Sequence, residues 1–332
     1  MARIHRVRCS IGLALVFLLA TASTVFAADK TADGFPAKPV VNIVSWSAGG
    51  TTDIGQRLVG SILPKYLGQT MVVENQPGGA AVPGTTAIAK SKPDGYTIGV
   101  NWGASWTLRP YLIKVPYKKE DFTFIIGMLT QRNLLCVRND SPFKTLDDLV
   151  EFARANPGKL NWGGGVAASY QHLTGAAFLE AAKLKAEMIP YDGSRPSVVA
   201  LLGGNVDFAV VEPGNMIVEE RAGQLRVLCV FEKERLAQFP DAPTAIEKGF
   251  NVNYPNTQCI VGPAGMPADR VKILHDALKK TFEDPEFLKL AANAALEIEY
   301  KSGEEVSAEI DQIIRELDPI IGNIFPNALK RK

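Results

Sequence analysis

The groups best placed to do chemistry in this 332-residue chain are backbone amides rather than paired acids, histidines or cysteines. Residues 43–57 read IVSWSAGGTTDIGQR. An apolar run breaks at Gly49 and Gly50 and turns at once into Thr51, Thr52 and Asp53, a composition that starts helices. A strand handed to a helix through glycines directs free N–H groups and the positive end of a helix dipole at one place. Such a place suits an anion. A phosphate would call for a basic helper, and the nearest is Arg57, about one helical turn past Asp53. The neutral donors Ser47, Thr51 and Thr52 favour a carboxylate gripped mainly by amides. The competing reading is a plain strand-to-helix turn with Asp53 as a structural cap, since a lone glycine turn is a weak signal.

Repetition shifts the balance toward binding. Gly78, Gly79 and Ala80 follow a strand-like run at 71–74, and Trp102-Gly103-Ala104-Ser105 follows another at 96–101. Further on, Gly163-Gly164-Gly165 leads through Ala168 to Ser169, an expected helix cap, with His172 three positions later. Tyr191-Asp192-Gly193-Ser194 and Glu212-Pro213-Gly214 complete the set. Trp46, Trp102 and Trp162 each adjoin one of these turns. Burial is the default for tryptophan; the sharper expectation is that at least one flanks an aromatic or bulky organic acid. His172 is read as a buttress of its turn and His275 as a mid-helix flank residue.

Enzyme signals are lacking. The chain has no GxSxG elbow, no HExxH, no Walker loop and no His/Cys cluster with ligand spacing, so no metal and no cofactor are expected. Asp53 and Glu212 could form a carboxylate pair only if the fold joined them, which leaves an exported hydrolase as the minor alternative. A ligand-sensing effector protein is another, opposed by the export segment and the lack of a DNA-binding segment.

The elements that position these turns follow in order. Residues 1–27 carry Arg3, Arg6 and Arg8, an apolar run at 11–20 and the small-x-small pattern ending at Ala27, which is a secretory signal peptide cleaved after Ala27. Removing it leaves 33 basic and 35 acidic residues, and no basic field for nucleic acid. Cys136, Cys229 and Cys259 remain, each in an apolar run; one disulfide stays open, but three buried small hydrophobes is the expectation. The remaining ~300 residues exceed the usual size of one core. Strand, turn and helix alternate through both halves, the pattern of open α/β sheets that bind ligands at the carboxyl ends of strands. The helix-rich tail, with one strand near 257–261, is expected to return to the first domain.

Taken together, SAGGTTD, VVENQPGG, KPDGYTI, NPGKLNWGGG, PYDGSRPSVVALLGGNVDF, RAGQLRVL, FPDAPTAIEKGF and GPAGMP resemble the Bug-type receptors of tripartite tricarboxylate transporters over nearly all of residues 38–332. The resemblance implies an α/β, two-lobed periplasmic binding protein of the Venus-flytrap, type II-like kind, each lobe a mixed sheet flanked by helices. It implies lobe 1 at 38–130 plus 256–332, lobe 2 at 131–255, and hinge crossings near 128–133 and 231–258. It implies a small organic acid bound between the lobes, by turn amides and hydroxyls rather than a dedicated arginine, and integral-membrane transporter subunits as partners. Carried over by position, the ligand set is Ser47, Gly49, Gly50, Thr51, Thr52, Asp53, Gly78, Gly79, Ala80, Ala168, Ser169, His172, Tyr191 and, in the turn after 206–211, Glu212; Trp46 and Trp102, which adjoin ligand turns, complete the expected set. Val211-Glu212 replaces the family's common Asp-Asn, and Tyr191-Asp192-Gly193 its usual Tyr-Lys-Gly. An extra carboxylate and a lost lysine weigh against a citrate-like ligand and leave aromatic and dicarboxylic acids open.

Overall fold

Short runs of valine, isoleucine and leucine bounded by glycine turns form strands that are covered on both faces, and here they build two separate sheets. A computed structural model describes residues 30–294 and 296–329; the expected signal peptide and its cleavage after Ala27 lie outside the described residues. In chain order the strands are β1 (Val40–Val44), β2 (Met71–Asn75), β3 (Thr97–Trp102), β4 (Phe122–Gln131), β5 (Leu134–Arg138), β6 (Leu160–Gly163), β7 (Ala186–Ile189), β8 (Phe208–Val211), β9 (Leu225–Val230), β10 (Asn256–Pro263) and β11 (Lys301–Ser302). One sheet has the order β11-β4-β10-β3-β1-β2, the other β7-β6-β8-β5-β9. Both are mixed: β1 runs parallel to β2 and β3 while β10 opposes β3 and β4, and β6 runs parallel to β7 and β8 while β5 opposes β8 and β9.

This register decides where the turns gather. The carboxyl ends of β1, β2 and β3 share an edge with the start of β10 and the end of β4, because Gln258 pairs with Trp102 and Asn256 with Gln131. Only Arg132 and Asn133 separate β4 from β5, so that edge abuts the second sheet. Arg132 ties the crossings together, ion-paired to Glu299 and, at 3.7 Å, to Glu232 just beyond β9. Burial outweighs that nearby charge and pushes the Glu232 carboxyl up to about 7.

Helix α1 (Thr51–Ile62) buries Gln56, Val59 and Ile62 against the first sheet. Helix α2 (Tyr170–Ala182) buries Leu173, Ala177 and Phe178, and its Gly175 lies so close to the Trp162 ring that a Cβ there would come within 2.4 Å. Trp162 itself is a core residue. Cys136, Cys229 and Cys259 are free and buried, and burial pushes the Cys136 thiol up to about 12; all three pack as small hydrophobes.

The tail divides its loyalty. Helix α3 (Gly303–Leu317) is closed at its start by a reciprocal Ser302–Glu305 capping box. Its Val306 and Ile310 pack with Trp106 and Val261 of the first lobe. Ile313 and Leu317, followed by Ile321 and Phe325, instead join the cluster around Trp162 and Phe178. Thus β10, β11 and the start of α3 pack with the first sheet, while the end of α3 packs with the second; an amphipathic stripe of this length covers more than one sheet can bury. Leu317 is fully buried, and Leu317→Ala is expected to lower unfolding free energy by about 3 kcal/mol, read from the urea midpoint.

Candidate functional site

The turn between β1 and α1 is built around Asp53, whose side chain is only 2% exposed. Oδ2 accepts the Gly49 N–H at 2.8 Å and Arg57 Nε at 3.0 Å. Oδ1 accepts Asn75 Nδ2 at 2.8 Å and lies 2.9 Å from an Arg57 Nη. Asn75, the last residue of β2, also donates to the Trp46 carbonyl at 3.1 Å and accepts from Arg57 at 2.9 Å. Burial disfavours the charged carboxyl, but the bonds from Arg57, Gly49 and Asn75 outweigh it and hold its pKa below the ordinary value. Gly49 has φ of +80°, a left-handed conformation that glycine adopts without strain.

While the brace is saturated, the helix start is not. Gly50 is the N-cap and has no side chain to offer the first-turn N–H groups; its own N–H is taken by the Ser47 carbonyl at 3.3 Å. The N–H groups of Thr51, Thr52 and Asp53 are the helix's orphan donors, the first intrahelical bond being Ile54 N–H to Gly50 O at 2.9 Å. The neighbouring turn is also unusual. Gly78, Gly79, Ala80 and Ala81 all have positive φ, from +48° to +98°, and the two alanines hold a left-handed backbone at a cost of about 1–2 kcal/mol each.

Between the lobes lie two chambers that share Trp102 and Gln131. The first, about 760 Å³, is walled by Trp46, Trp102 and Arg109 on one side, by Ala168, Ser169 and Gln171 on the other, and by Phe325 of the tail. The second, about 880 Å³, is walled by Thr51, Trp102 and Gln131 facing Glu212 and Asn215. Trp102 is held in place by its indole N–H, which donates to Thr52 Oγ1 at 3.2 Å. Glu212 is sated by neutral donors: the side-chain amides of Gln131 and Gln171, the Ser194 hydroxyl, and Asn215 Nδ2 at 3.0 Å. Gln131 comes from the first sheet and its Oε1 accepts from Asn256 at 2.8 Å, so Glu212 links the lobes through amides alone.

Of the residues singled out in the sequence, Trp46, Thr51, Trp102, Ala168, Ser169 and Glu212 therefore line the chambers. Ser47, Gly49, Gly50, Gly78, Gly79 and Ala80 are exposed on the two turns at the same sheet edge. Four expected wall residues stand behind the walls instead. Thr52 and Asp53 are buried supports of Trp102 and of the turn. His172 accepts the Ala168 N–H on Nδ1 at 2.9 Å and packs against Trp162 and Phe325; burial lowers its pKa and keeps it neutral. Tyr191 donates its N–H to the Gly165 carbonyl and packs beside the second-lobe core. Ser169 lines the cavity but spends its hydroxyl capping α2, accepting the His172 N–H at 3.2 Å. Trp162 is walled off in the core, which leaves Trp46 and Trp102 as the cleft tryptophans.

Sequence reading missed Gln131, Gln171, Asn256 and Phe325, which nothing local marks, and it missed Arg109. The signal for Arg109 was present: it is the basic residue closest to the Trp102-Gly103-Ala104-Ser105 turn. Its Nε is buried with no partner, and burial lowers its pKa, with the Tyr117 phenol acting the other way.

Two sheets whose turn-bearing edges meet over a cleft, with uncapped amides on one of them, make a site suited to holding an anionic solute. The family model for the tripartite tricarboxylate transporter family receptor matches residues 56–325. The chain belongs to that family. A Cupriavidus necator protein, "UPF0065 protein in gbd 5' region", is 32% identical to this receptor over 295 residues, 89% of this chain and 90% of its own. Protein BugT of Bordetella pertussis is 34% identical over 235 residues, 69% of this chain and 71% of its own. Among solved structures, a ligand-free TctC solute-binding protein from Polaromonas superposes with a TM-score of 0.82 at 24% identity, covering 87% of this chain and 99% of that one. MatC from Rhodopseudomonas palustris with bound malate gives 0.65 at 22% identity, covering 86% and 100%. An R. palustris protein with adipate gives 0.68 at 23%, covering 90% and 100%.

The Asp53 brace generates a pH signature. A carboxyl whose folded pKa is depressed stabilises the fold above its unfolded value, near about 3.9, and loses that contribution as pH falls through the folded value. Asp53→Asn is expected to cost about 2 kcal/mol at pH 7, with the gap to the unsubstituted receptor closing below about pH 4 in urea titrations at stepped pH. A gap of constant size would contradict the assignment of the carboxylate as the brace.

Proposed function

We propose that this receptor captures a small organic acid from the periplasm between its lobes and presents it to membrane subunits of a tripartite tricarboxylate-type transporter, after removal of residues 1–27 at Ala27. The observation that carries the reading is the uncapped start of α1: Thr51, Thr52 and Asp53 offer N–H groups, and the turn behind them is rigid. One ligand carboxylate lies over these amides, with Gly79 and Ala80 at its flank. Each bond is charge-assisted and cooperates with the helix dipole. Gly49 and Gly50 let the ligand approach the backbone, Ser47 adds a hydroxyl, and Trp46 and Trp102 flank the ligand's body.

The second lobe contributes Ala168 and Ser169 above the cleft. His172 and Tyr191 fix the shape of that surface and do not touch the acid. Glu212, its oxygens filled by protein donors, keeps a negative charge in the wall and helps to exclude highly charged acids such as citrate. The carboxylate class is further supported by malate on MatC and adipate on the second R. palustris protein. Turnover is not part of this function: the acid leaves as it arrived, and binding energy serves lobe closure and recognition.

Proline is tolerated at the first position of a helix and lacks an N–H, so Thr51→Pro removes one donor while leaving α1 intact. Calorimetry with the tightest acid from a thermal-shift panel is expected to show affinity reduced about 10-fold in Thr51→Pro and nearly unchanged in Thr51→Val. Equal affinities in the two variants would contradict the amide grip.

A further inference from the structure

Arg109 begins a short helix, Arg109–Leu112, that follows the turn after β3. It is the single charged residue among the described residues lining the first chamber. The described residues give its side chain no hydrogen bond and no ion pair, and its Nε is sealed from solvent without an acceptor. The titratable group that acts on it is the phenol of Tyr117, which burial keeps neutral with its pKa pushed up to about 12. Partly burying a guanidinium without a counterion is unfavourable, and the cost is relieved when an anion enters. Among the described residues, the neighbouring guanidiniums are already engaged: Arg57 is committed to Asp53 and Asn75, and Arg132 to Glu232 and Glu299.

The placement of Arg109 relative to the amides matters as much as its lack of a partner. The turn at 46–51 runs from the first chamber, at Trp46, to the second, at Thr51, and Trp102 lines both. A carboxylate over this turn sits at the junction of the chambers. The second chamber has Glu212 and Glu297 in its wall against one cation, Arg132, which is already ion-paired to Glu232 and Glu299, and it disfavours a further negative charge. The first chamber carries only the positive charge of Arg109, between apolar surfaces such as Leu108, Leu112 and Phe325.

We propose that Arg109 receives a second acidic group of the ligand, so that the receptor selects acids with two carboxylates joined by an apolar body over one-headed acids of the same skeleton. This rests on the carboxylate reading above. The guanidinium fork reads a carboxylate bidentately, a geometry a lysine ammonium does not reproduce.

The test is calorimetry on the receptor with matched pairs, hexanoate against adipate and benzoate against terephthalate. In the unsubstituted receptor the diacid of at least one pair is expected to bind about 10-fold to 100-fold more tightly than its monoacid. In Arg109→Gln that preference is expected to shrink to about 3-fold or less, diacid affinity falling more than monoacid affinity, and Arg109→Lys is expected to fall between. Melting curves in the absence of ligand verify that each variant is folded, and Arg109→Lys carries the test if Arg109→Gln is not. A folded variant that keeps the full preference overturns the role of Arg109 and leaves the carboxylate reading standing, as does an unsubstituted receptor that binds both members of each pair equally. A receptor that binds none of the four acids overturns both.

Discussion

A helix that begins without a cap must find acceptors for its first N–H groups elsewhere, and the rest of this structure is arranged around that need in α1. Gly50 supplies no side-chain oxygen, and the carboxylate that could fold back to cap the turn, Asp53, is turned away to hold Gly49, Arg57 and Asn75. One buried side chain thus fixes the ends of β1 and β2 against the start of α1. The amides are left pointing outward with no freedom to turn inward, so the entropy of arranging them is already spent in the folded chain.

The two lobes are unequal partners. On the second, the comparable helix start is satisfied from within: Ser169 caps α2, His172 holds the left-handed Ala168, and Glu212 is filled by four neutral donors. Open donors thus lie on one lobe and satisfied groups on the other. The tail links the two, because α3 leaves the first lobe and ends in the core of the second, with the Leu329 N–H returning to the Tyr111 carbonyl at 2.7 Å. This strap joins the lobes in addition to the two-residue crossing at 132–133 and the longer one at 231–255.

Much of this was legible in the chain itself. The strand-turn-helix alternation gives both sheets, and the glycine pairs mark the edge where the ligand turns collect, because glycine is what a left-handed turn demands. The buttressing place of His172 and the packing of the three cysteines follow from spacing and apolar context alone. What was not legible depends on long-range register. Gln131 meets Glu212, with Asn256 bonded behind it, only because the paired ends of β4 and β10 abut the second lobe, and Gln171 reaches Glu212 only because α2 starts beside it; no local pattern distinguishes those amides from surface ones. Asp53 shows the same limit from the other side: its spacing from Gly49 suits a ligand contact or a brace, and only the position of Asn75 on the neighbouring strand decides between them. For Arg109 the sequence shows its nearness to the turn after β3 but not its lack of a partner, which is a property of its surroundings.

The central claim is that the first-turn amides of α1 hold the acid. Amide chemical shifts in the ¹⁵N-labelled receptor, followed through a titration with a bound carboxylate, test it directly. The account predicts that the N–H resonances of Thr51, Thr52 and Asp53 move downfield together, at the same midpoint as the calorimetric affinity, while that of Gly49, already bonded to Asp53, stays nearly still. Saturating binding that leaves those three amides unmoved would contradict it.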